Sequence, residues 1–482
     1  MKIANLTRRQ ALQGVMTTAA AASMLPTVGL ESALAGPEED RIIAAAKKAG
    51  PAEIGGMIWS NYYVAMSPYV HEFTKATGIS VPKIQDLSIF DIPQRAMAEA
   101  LSKSPEFEFF HVDSNMIPSL ASAGLLEPLD KYMEAANFKL DAVGNFASFM
   151  KYKGQTYGMP TDGNVFVSGY LWDKITDDVK KKYADKQGKE WTWPETFEDE
   201  LAMSQLVNDP DSDFYGTGDL RNRANGVTWW YQYFYAAGGF PFDDDMNPTL
   251  NNAAGEYAME TYLNLKSVGH PEAPGWGTPQ MIPRWFNAKT FGGQYWDGII
   301  AGTNNPKLSK TAGRFHWGPV PGSRVSGKLV RRSISSPIAA LLINRYSPNK
   351  EQAAYMALYM ATPTVSTGIV ADPVNTFHDP WAKAHFAKGA ATEKVYTAAG
   401  MAAIEKNLQI TTPPIYLTGY LEFQDQLAKN LSEAYTGIKS AKAVLTDTEE
   451  AWKRTVRRIG KRKLKEELQS YKAVFPLVDV PS

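Results

Sequence analysis

The chain has 482 residues, 50 basic and 51 acidic side chains, and no cysteine. The lack of cysteine excludes disulfides, thiolate metal sites, cysteine nucleophiles and a lipid anchor on cysteine. The near-neutral balance argues against a nucleic-acid partner, because binding to phosphate needs clustered Lys and Arg. Aromatic residues make up 12% of the chain and include 12 Trp, an excess that needs a functional explanation.

The first 35 residues have the pattern of an export signal. A short basic region with Arg8-Arg9 precedes a weakly apolar stretch, 11–30, and a small-x-small cleavage motif ends at Ala35. Polar residues interrupt the stretch, whereas a membrane span needs about 20 predominantly apolar residues. Arg8-Arg9 resembles the twin-arginine export motif, with departures at two positions, and ordinary secretion is the alternative. We therefore predict a signal peptide at 1–35, cleaved after about Ala35, and a mature protein in a Gram-negative periplasm.

Strand and helix signals alternate in the next part of the chain. The predicted elements are a strand at 53–59, a helix opened by Ser67-Pro68 and closed by Gly78, a strand at 79–84, a helix from Asp91 to about Leu101, a strand at 106–112, and a helix with apolar residues Met116, Leu120, Ala123 and Leu126. This alternation implies parallel strands with right-handed crossovers, hence an α/β layered domain. Ligands bind beyond the carboxyl ends of such strands, here the loops that begin at Trp59, Gln85 and Val112.

The remaining pattern is richer in helix. Helical signals run from 172 to about 269, with loops at 208–211 and 242–248. Strand signals return at 293–296, 314–317 and 337–343, and the rest is mostly helical. The part after the signal is too long for one ordinary domain and is comfortable for two.

Several chemical motifs are incomplete. Gly322–Leu329 resembles a phosphate-binding loop, but Leu329 stands where a hydroxyl must meet magnesium, so a surface hairpin is the better interpretation. Asp243 begins a calcium-loop pattern in which Pro248 replaces the required glycine, which favours a turn with exposed acids. The six histidines show no His-x-x-x-His pair, and no Gly-x-Ser-x-Gly elbow occurs. We therefore predict no metal, no cofactor and no catalytic residue.

Four aromatic segments have a different character, because their rings lie beside polar residues at strand ends or in Gly-rich loops. They are Trp59–Tyr63, Thr228–Tyr231, Pro274–Gly277 and Tyr295–Gly298. A sugar ring has an apolar face of C–H groups and a rim of hydroxyls, so it suits an aromatic face flanked by Asp, Asn and Ser. Burial in the core is the alternative for any one of these tryptophans. The four segments together favour a carbohydrate site.

A series of motifs in a fixed order then indicates a family. These are Lys151–Pro160, Asp162-Gly163-Asn164, Gly169–Lys174, Trp193–Phe197, Ala237–Phe240, Pro248–Asn251, Gly318–Gly322 and Asn344–Glu351. In this order, across roughly residues 50 to 460, they resemble the extracellular solute-binding proteins of ABC transporters, in particular the sugar-binding family similar to maltose-binding protein. Each motif alone is weak, and none identifies the ligand.

The resemblance implies a type II periplasmic-binding-protein fold. It has two α/β lobes, each a mixed or parallel sheet flanked by helices, and the ligand lies in the cleft between them. We place lobe I at 36–163 plus 319–364 and lobe II at 164–318 plus 365–482. The protein would close on a carbohydrate as a monomer and pass it to the permease subunits of an ABC importer, without catalysis or cofactor.

The resemblance also implies positions for the ligand contacts. The candidates are Trp59 and Asn61 after the first strand, Asp113, Ser114 and Asn115 after the third, Asp162 and Asn164 at the hinge, Trp296, and Ser335 and Ser336 in place of a usual glycine pair. Tyr62 and Asp297 are added from the aromatic segments that contain them. Trp296 falls where the family stacks a tryptophan on a sugar ring. Trp229, Trp230 and Tyr420 are added from composition more than from the resemblance.

Two other functions remain open at the level of the sequence. An exported enzyme acting on polysaccharide is one, since two carboxylates for sugar hydrolysis can come from distant positions. The other is the same fold holding a charged metabolite, with Arg332 or Arg284 as the counter-ion.

Overall fold

The computed structural model describes residues 36–59, 62–87, 91–336, 338–372 and 378–475. The predicted signal peptide, 1–35, and the candidate contact Asn61 lie outside these residues. Within them, no helix has both the length and the hydropathy needed to span a bilayer.

The elements alternate in type along much of the chain. The strands are β1 (Ala52–Trp59), β2 (Ile79–Leu87), β3 (Phe109–Asp113), β4 (Lys151–Tyr152), β5 (Gln155–Thr156), β6 (Gly158–Pro160), β7 (Phe166–Leu171), β8 (Gly292–Trp296), β9 (Phe315–Gly318), β10 (Gly322–Ser323), β11 (Val330–Arg331), β12 (Ser333–Ile334), β13 (Ala339–Ile343) and β14 (Thr411–Thr412). The helices are α1 (Pro37–Ala49), α2 (Tyr62–Thr77), α3 (Ile92–Leu101), α4 (Ile117–Ser122), α5 (Asp130–Ala135), α6 (Asp177–Gln187), α7 (Phe197–Val207), α8 (Gly226–Ala236), α9 (Ala253–Asn264), α10 (Thr278–Phe286), α11 (Gly298–Asn304), α12 (Lys350–Met360), α13 (Pro363–Val370), α14 (Glu393–Leu408), α15 (Tyr420–Tyr435), α16 (Ala441–Ile459) and α17 (Lys461–Ala473).

A five-stranded mixed sheet is built around β1 and β3. Its order is β2-β1-β3-β13-β6, with β1 parallel to both neighbours and β13 antiparallel to β3 and β6. The predicted parallel pairing is therefore confirmed. Strands β3 and β13 are buried along their whole length, as expected for strands covered on both faces. Helix α12 packs on α1 and β13, and α2 packs on β1 and β2.

A three-stranded antiparallel sheet follows, with the order β8-β7-β9. Its central strand, β7, carries Gly169, where a Cβ atom would lie 2.1 Å from the Trp317 ring. Glycine therefore lets the indole of Trp317 lie flat against the strand backbone. Helix α14 packs on β7 and β9, and α8 packs on α9 and α15.

Two short segments between strands of different sheets hold candidate residues. Residues 161–165 connect β6 of the five-stranded sheet to β7 of the three-stranded sheet, and residues 335–338 lead from β12 to β13. The candidate residues Asp162 and Asn164 lie in the first crossing, and Ser335 and Ser336 lie in the second. The carboxyl ends of β3 and β8 carry Asp113 and Trp296.

The last helix binds residues from early in the chain. Glu467 of α17 is fully buried and accepts a hydrogen bond of 2.7 Å from the Tyr152 hydroxyl, 315 residues earlier. The same carboxylate accepts bonds of 2.8 Å from the backbone N–H and the hydroxyl of Thr418. The C-terminal helix thereby joins β4 to the segment that leads into α15.

The start of α2 differs from the prediction. The helix begins at Tyr62, so Pro68 lies inside it rather than in its first turn. Pro68 has no N–H to donate to the Val64 carbonyl, and the Ser67 hydroxyl donates to that carbonyl at 3.0 Å instead. Ser67 thus compensates for a proline within the helix rather than capping its start. The predicted end is confirmed, because Gly78 has φ +78° and its N–H donates to Thr74.

Three other element boundaries differ from the predicted ones by a few residues. Strand β2 continues to Leu87, beyond the predicted loop start at Gln85, and β3 begins at Phe109 rather than Glu106. Helix α4 ends at Ser122, so Leu126 is not on its apolar face and instead forms an isolated bridge with Asn344. Gly124, with φ +75°, turns the chain at this point.

The two incomplete motifs are structural features. The Gly322–Leu329 segment belongs to a hairpin, because β10 pairs antiparallel with β11. The Asp243 carboxylate accepts bonds of 2.8–2.9 Å from the backbone N–H groups of Asp245 and Asn247, which makes an exposed turn. Both interpretations are confirmed. Across the described ranges, no group of His, Asp or Glu side chains is arranged to hold a metal ion.

Candidate functional site

Asp113, the last residue of β3, links two distant parts of the chain. Its carboxylate accepts bonds from the backbone N–H and the side-chain amide of Asn115 at 3.1 and 3.0 Å. It also accepts from the Tyr420 hydroxyl at 3.3 Å and the Ser336 hydroxyl at 3.4 Å. Burial raises the pKa of Asp113 to about 6. Three predicted contacts, Asn115, Ser336 and Tyr420, therefore meet at the carboxylate of a fourth, Asp113.

Trp296 at the end of β8 joins this group through Ser336. Its indole N–H donates to the Ser336 carbonyl at 2.7 Å, and the ring is partly exposed. The Trp296 ring makes T-shaped contacts with Phe166 and Trp229, at centroid distances of 5.6 and 5.3 Å. Trp229 is fully buried and donates its own N–H to Gln294 at 3.1 Å. Trp229 is therefore a support for Trp296 rather than an exposed surface.

The first crossing is held by Asp162. Its carboxylate accepts bonds of 2.9 Å from the Tyr62 hydroxyl and from the Asn164 amide. It also accepts a bond of 2.6 Å from the backbone N–H of Asp379. The Ser335 hydroxyl donates to the Asn164 carbonyl at 2.8 Å, which ties the two crossings together.

Asp297 and Asp379 complete a group of three buried carboxyl groups with Asp162. Asp297 accepts from the backbone N–H of Val165 at 3.0 Å, and Asp379 accepts from the Tyr396 hydroxyl at 3.0 Å. Burial, and then the negative charge of the neighbouring carboxylates, raises the pKa of both Asp162 and Asp297 well above the ordinary value. Burial also raises the pKa of Asp379, to about 6.

An aromatic cluster lies beside these acids. Trp59, at the end of β1, contacts Tyr62 and His111 at centroid distances of 5.2 and 5.3 Å. His378 lies 4.6 Å from the Tyr62 ring, and its two ring nitrogens lie 2.8 and 3.1 Å from the carbonyl oxygens of Thr161 and Tyr62, to one of which a neutral imidazole donates. Burial lowers the pKa of His111 and of His378, so both imidazoles are neutral at pH 7.

A groove of about 330 Å³ adjoins the Asp113 group. Its walls include Met116, which follows Asn115, and Gly419 and Leu421, which flank Tyr420. Ser119 and Lys463 add polar groups to the same walls. This volume falls within the range of about 300–1,000 Å³ typical of small-molecule sites.

Other candidates make none of the side-chain hydrogen bonds of this network. Trp230 is fully buried in α8, where its ring stacks on Phe234 at 4.8 Å. Trp230 therefore lies in the hydrophobic core, which was the alternative to ligand contact for each tryptophan. Ser114 is also fully buried, in the turn that Asp113 caps. The Arg284 guanidinium bonds Asp213 at 2.7 Å, so its charge is already compensated at that pair.

Arg332, the other proposed counter-ion, is a buried residue between β11 and β12. Burial lowers its pKa to about 10, which leaves the guanidinium charged at pH 7. Its Nη1 donates to the Arg331 carbonyl at 2.7 Å.

The sequence reasoning missed Asp379, His378 and Tyr396. His378 and Asp379 lie between α13 and α14, and Tyr396 lies in the first turn of α14. The one available signal was the polar pair His378-Asp379 before a proline. Its partner Asp162 is 217 residues away, so the pair alone does not predict the contact.

Comparison with known sequences identifies a family profile. Residues 59–365 match the family described as bacterial extracellular solute-binding protein. A probable amino-acid ABC transporter periplasmic-binding protein of Sinorhizobium fredii (strain NBRC 101917 / NGR234) is 23% identical over 317 residues, 63% of this chain and 67% of that protein.

Comparison with solved structures identifies the fold. An Agrobacterium radiobacter K84 solute-binding protein in complex with ribitol matches with a TM-score of 0.72 and 17% identity, over 84% of this chain and 99% of that one. Maltose-bound MalE3 of T. maritima has a TM-score of 0.71 and 14% identity, over 84% and 99%. An Agrobacterium vitis S4 protein with bound D-mannitol has a TM-score of 0.70 and 18% identity, over 85% and 99%. The chain has the two-lobe α/β fold of these binding proteins.

Proposed function

Because this chain belongs to the bacterial extracellular solute-binding proteins, we propose that it binds a sugar, an oligosaccharide or a polyol in the cleft between its lobes. In this proposal it delivers the ligand to the membrane permease of an ABC importer and does not change it chemically. The working form is a monomer, exported to the periplasm after cleavage near Ala35.

One observation carries the proposal, the hydrogen-bonded link between Trp296 and Asp113 through Ser336. The indole of Trp296 bonds the Ser336 carbonyl, and the Ser336 hydroxyl bonds Asp113. An aromatic ring and polar side chains are thereby held next to each other, which suits the C–H face and the hydroxyl rim of a sugar. The ribitol, mannitol and maltose in the similar structures are ligands of this chemical class.

The assignment of lobes is part of the proposal. Lobe I, 36–163 plus 319–364, would hold the five-stranded sheet, and lobe II, 164–318 plus 365–482, would hold the three-stranded sheet. Asp113 then belongs to lobe I, and Trp296 and Tyr420 belong to lobe II. A ligand in contact with both stabilises the closed arrangement over the open one.

A thermal-shift screen of residues 36–482 against sugars, oligosaccharides, polyols and amino acids tests this function. A ligand at about 100 times its dissociation constant stabilises the folded state by roughly 2.7 kcal/mol. We expect carbohydrate hits that calorimetric titration confirms, with the ligand recovered unchanged by chromatography. Amino-acid hits without carbohydrate hits would contradict the proposal, and conversion of a polysaccharide to products would establish the enzyme alternative instead.

A further inference from the structure

Four buried carboxyl groups at the candidate site have no basic partner. Asp113, Asp162, Asp297 and Asp379 are between 0 and 7% exposed. Among the described residues, none of the ion pairs within 4.0 Å includes any of the four. The stretches between Gly36 and Phe475 that lie outside the description contain no lysine or arginine. The site therefore has acidic groups without compensating positive charge.

Some buried acids elsewhere in the chain have a cation, whereas Glu108 and Glu200 are held, among the described residues, by hydrogen bonds without an ion pair. Asp219 is paired with buried Arg221 at 2.7 Å, and Glu127 is paired with Lys131 at 2.7 Å. An uncompensated buried charge is costly, so buried acids are normally paired with cations. The four acids of the site are thus suited to a positive charge that is supplied from outside the chain.

One acceptor atom beside Asp113 also lacks a donor. In the described part of the chain, Asn115 Oδ1 is buried and meets no hydrogen-bond donor. The Asn115 amide nitrogen is already used, because it donates to both oxygens of Asp113. An ammonium group has three N–H donors and no acceptor, which matches a surplus of acceptors.

The aromatic rings complete the environment of a cation. Trp296 is connected to Asp113 through a single residue, and Tyr420 donates to the same carboxylate. Both rings meet this group through their N–H and O–H edges, so they border the space beside Asp113 rather than present a ring face to it. The buried Trp59 Nε1, which meets no hydrogen-bond partner among the described residues, is a donor for a hydroxyl oxygen.

We propose that the ligand is a polyhydroxylated amine, an amino sugar or an amino polyol, whose ammonium group lies against Asp113 beside the rings of Trp296 and Tyr420. This inference rests on the proposed function and narrows its ligand class. The hydroxyl groups bond the polar side chains of the crossings, and the ammonium compensates the negative charge of Asp113.

Matched ligand pairs test the inference by calorimetric titration of residues 36–482 at pH 7. The pairs are D-glucosamine with D-glucose, D-galactosamine with D-galactose, and D-glucamine with D-sorbitol, and N-acetyl-D-glucosamine serves as the uncharged amide. We expect at least one amine to bind tenfold or more tighter than its neutral partner, and acetylation to remove that advantage. Equal or tighter binding of the neutral members would overturn the inference and leave the proposed function standing. Failure of every carbohydrate, charged or neutral, would contradict the proposed function itself.

Variants of Asp113 test whether its carboxylate is the partner of the ammonium group. Asp113→Asn removes the negative charge, and we expect it to cut the preference for the amine to less than threefold. Asp113→Glu keeps the charge and should keep a preference of at least threefold. Asp425→Asn, at an exposed pair with Arg223, is the control and should leave the preference unchanged. A folded Asp113→Asn protein with the full preference would rule out Asp113 as the ammonium partner.

Discussion

Ser336 connects the two residues that carry most of the argument for a ligand site. Its carbonyl and its hydroxyl point to different partners, Trp296 and Asp113, at 2.7 and 3.4 Å. The indole is therefore fixed through the backbone of Ser336, whereas the carboxylate depends on the side chain. A change at Trp296 removes the ring without removing the polar group around Asp113.

Trp296→Ala is expected to weaken carbohydrate binding by at least tenfold, a loss of about 1.4 kcal/mol, because the aromatic face is gone. The ring is partly exposed, so the melting temperature should change little. Calorimetric titration measures the affinity, and circular dichroism monitors the fold. Trp276→Ala is the matched control, since this partly buried tryptophan stacks on His270 at 4.0 Å, in another part of the chain. Unchanged affinity in folded Trp296→Ala would refute the stacking role.

At the scale of residues, the sequence predicted the polar side chains that directly follow strands or occupy the first crossing. Asp113, Asn115 and Asp162 are of this kind, because a strand end defines their position along the chain. Asp379 was missed, since it reaches the site through tertiary packing alone and no local pattern marks it. Trp230 shows the opposite difficulty, because a buried and a ligand-contacting tryptophan look alike in sequence.

At the scale of elements, the types were predicted better than the boundaries. The parallel pairing of β1 with β2 and β3 followed from the alternation of strands and helices. The start of α2 was misplaced because Ser67-Pro68 is a common helix opening, and only the structure shows that Ser67 replaces the missing bond to Val64. Local signals of this kind describe a preference that neighbouring turns override.

Gly169→Ala tests the packing of β7. The added Cβ atom would lie 2.1 Å from the Trp317 ring, so the ring or the strand must shift, at a cost of about 1–3 kcal/mol. Urea unfolding monitored by tryptophan fluorescence should show this loss. Gly275→Ala is the control, because no atom lies within 4 Å of its added Cβ and the expected change is below about 0.5 kcal/mol. Equal stability of the two variants would contradict the close packing of Trp317 on β7.

At the scale of the whole molecule, the buried acids make stability depend on pH. The pKa of Asp379 is raised to about 6 in the folded protein, above about 3.9 in the unfolded chain. The folded state then holds this proton more tightly. The contribution is complete below about pH 4 and is lost as the pH rises through about 6. Neutral His111 and His378 act in the opposite direction, because their lowered pKa values favour the unfolded state as the pH falls below about 6.5.

Asp379→Asn removes one of the three neighbouring carboxyl groups and leaves the histidines in place. The amide has no charge and still accepts from Tyr396 through its oxygen, the bond that Asp379 makes at 3.0 Å. Relative to the unaltered protein, the unfolding free energy of the variant should rise by about 2–3 kcal/mol between pH 4 and pH 7. Urea titrations at both pH values measure this difference. Asp425→Asn should show no such change, and a relative loss for Asp379→Asn at pH 7 would contradict the raised pKa.

The contact between Tyr152 and Glu467 can form only late in the synthesis of the chain. The two residues are 315 positions apart, which a ribosome covers in about 15–60 s at roughly 5–20 residues per second. Until α17 emerges, Tyr152 and Thr418 lack their shared acceptor, so the native structure is completed only after synthesis. An export route that carries folded proteins must hold this chain in the cytoplasm through that interval. A route that carries unfolded chains must instead engage this chain within the same interval, before the native structure is complete.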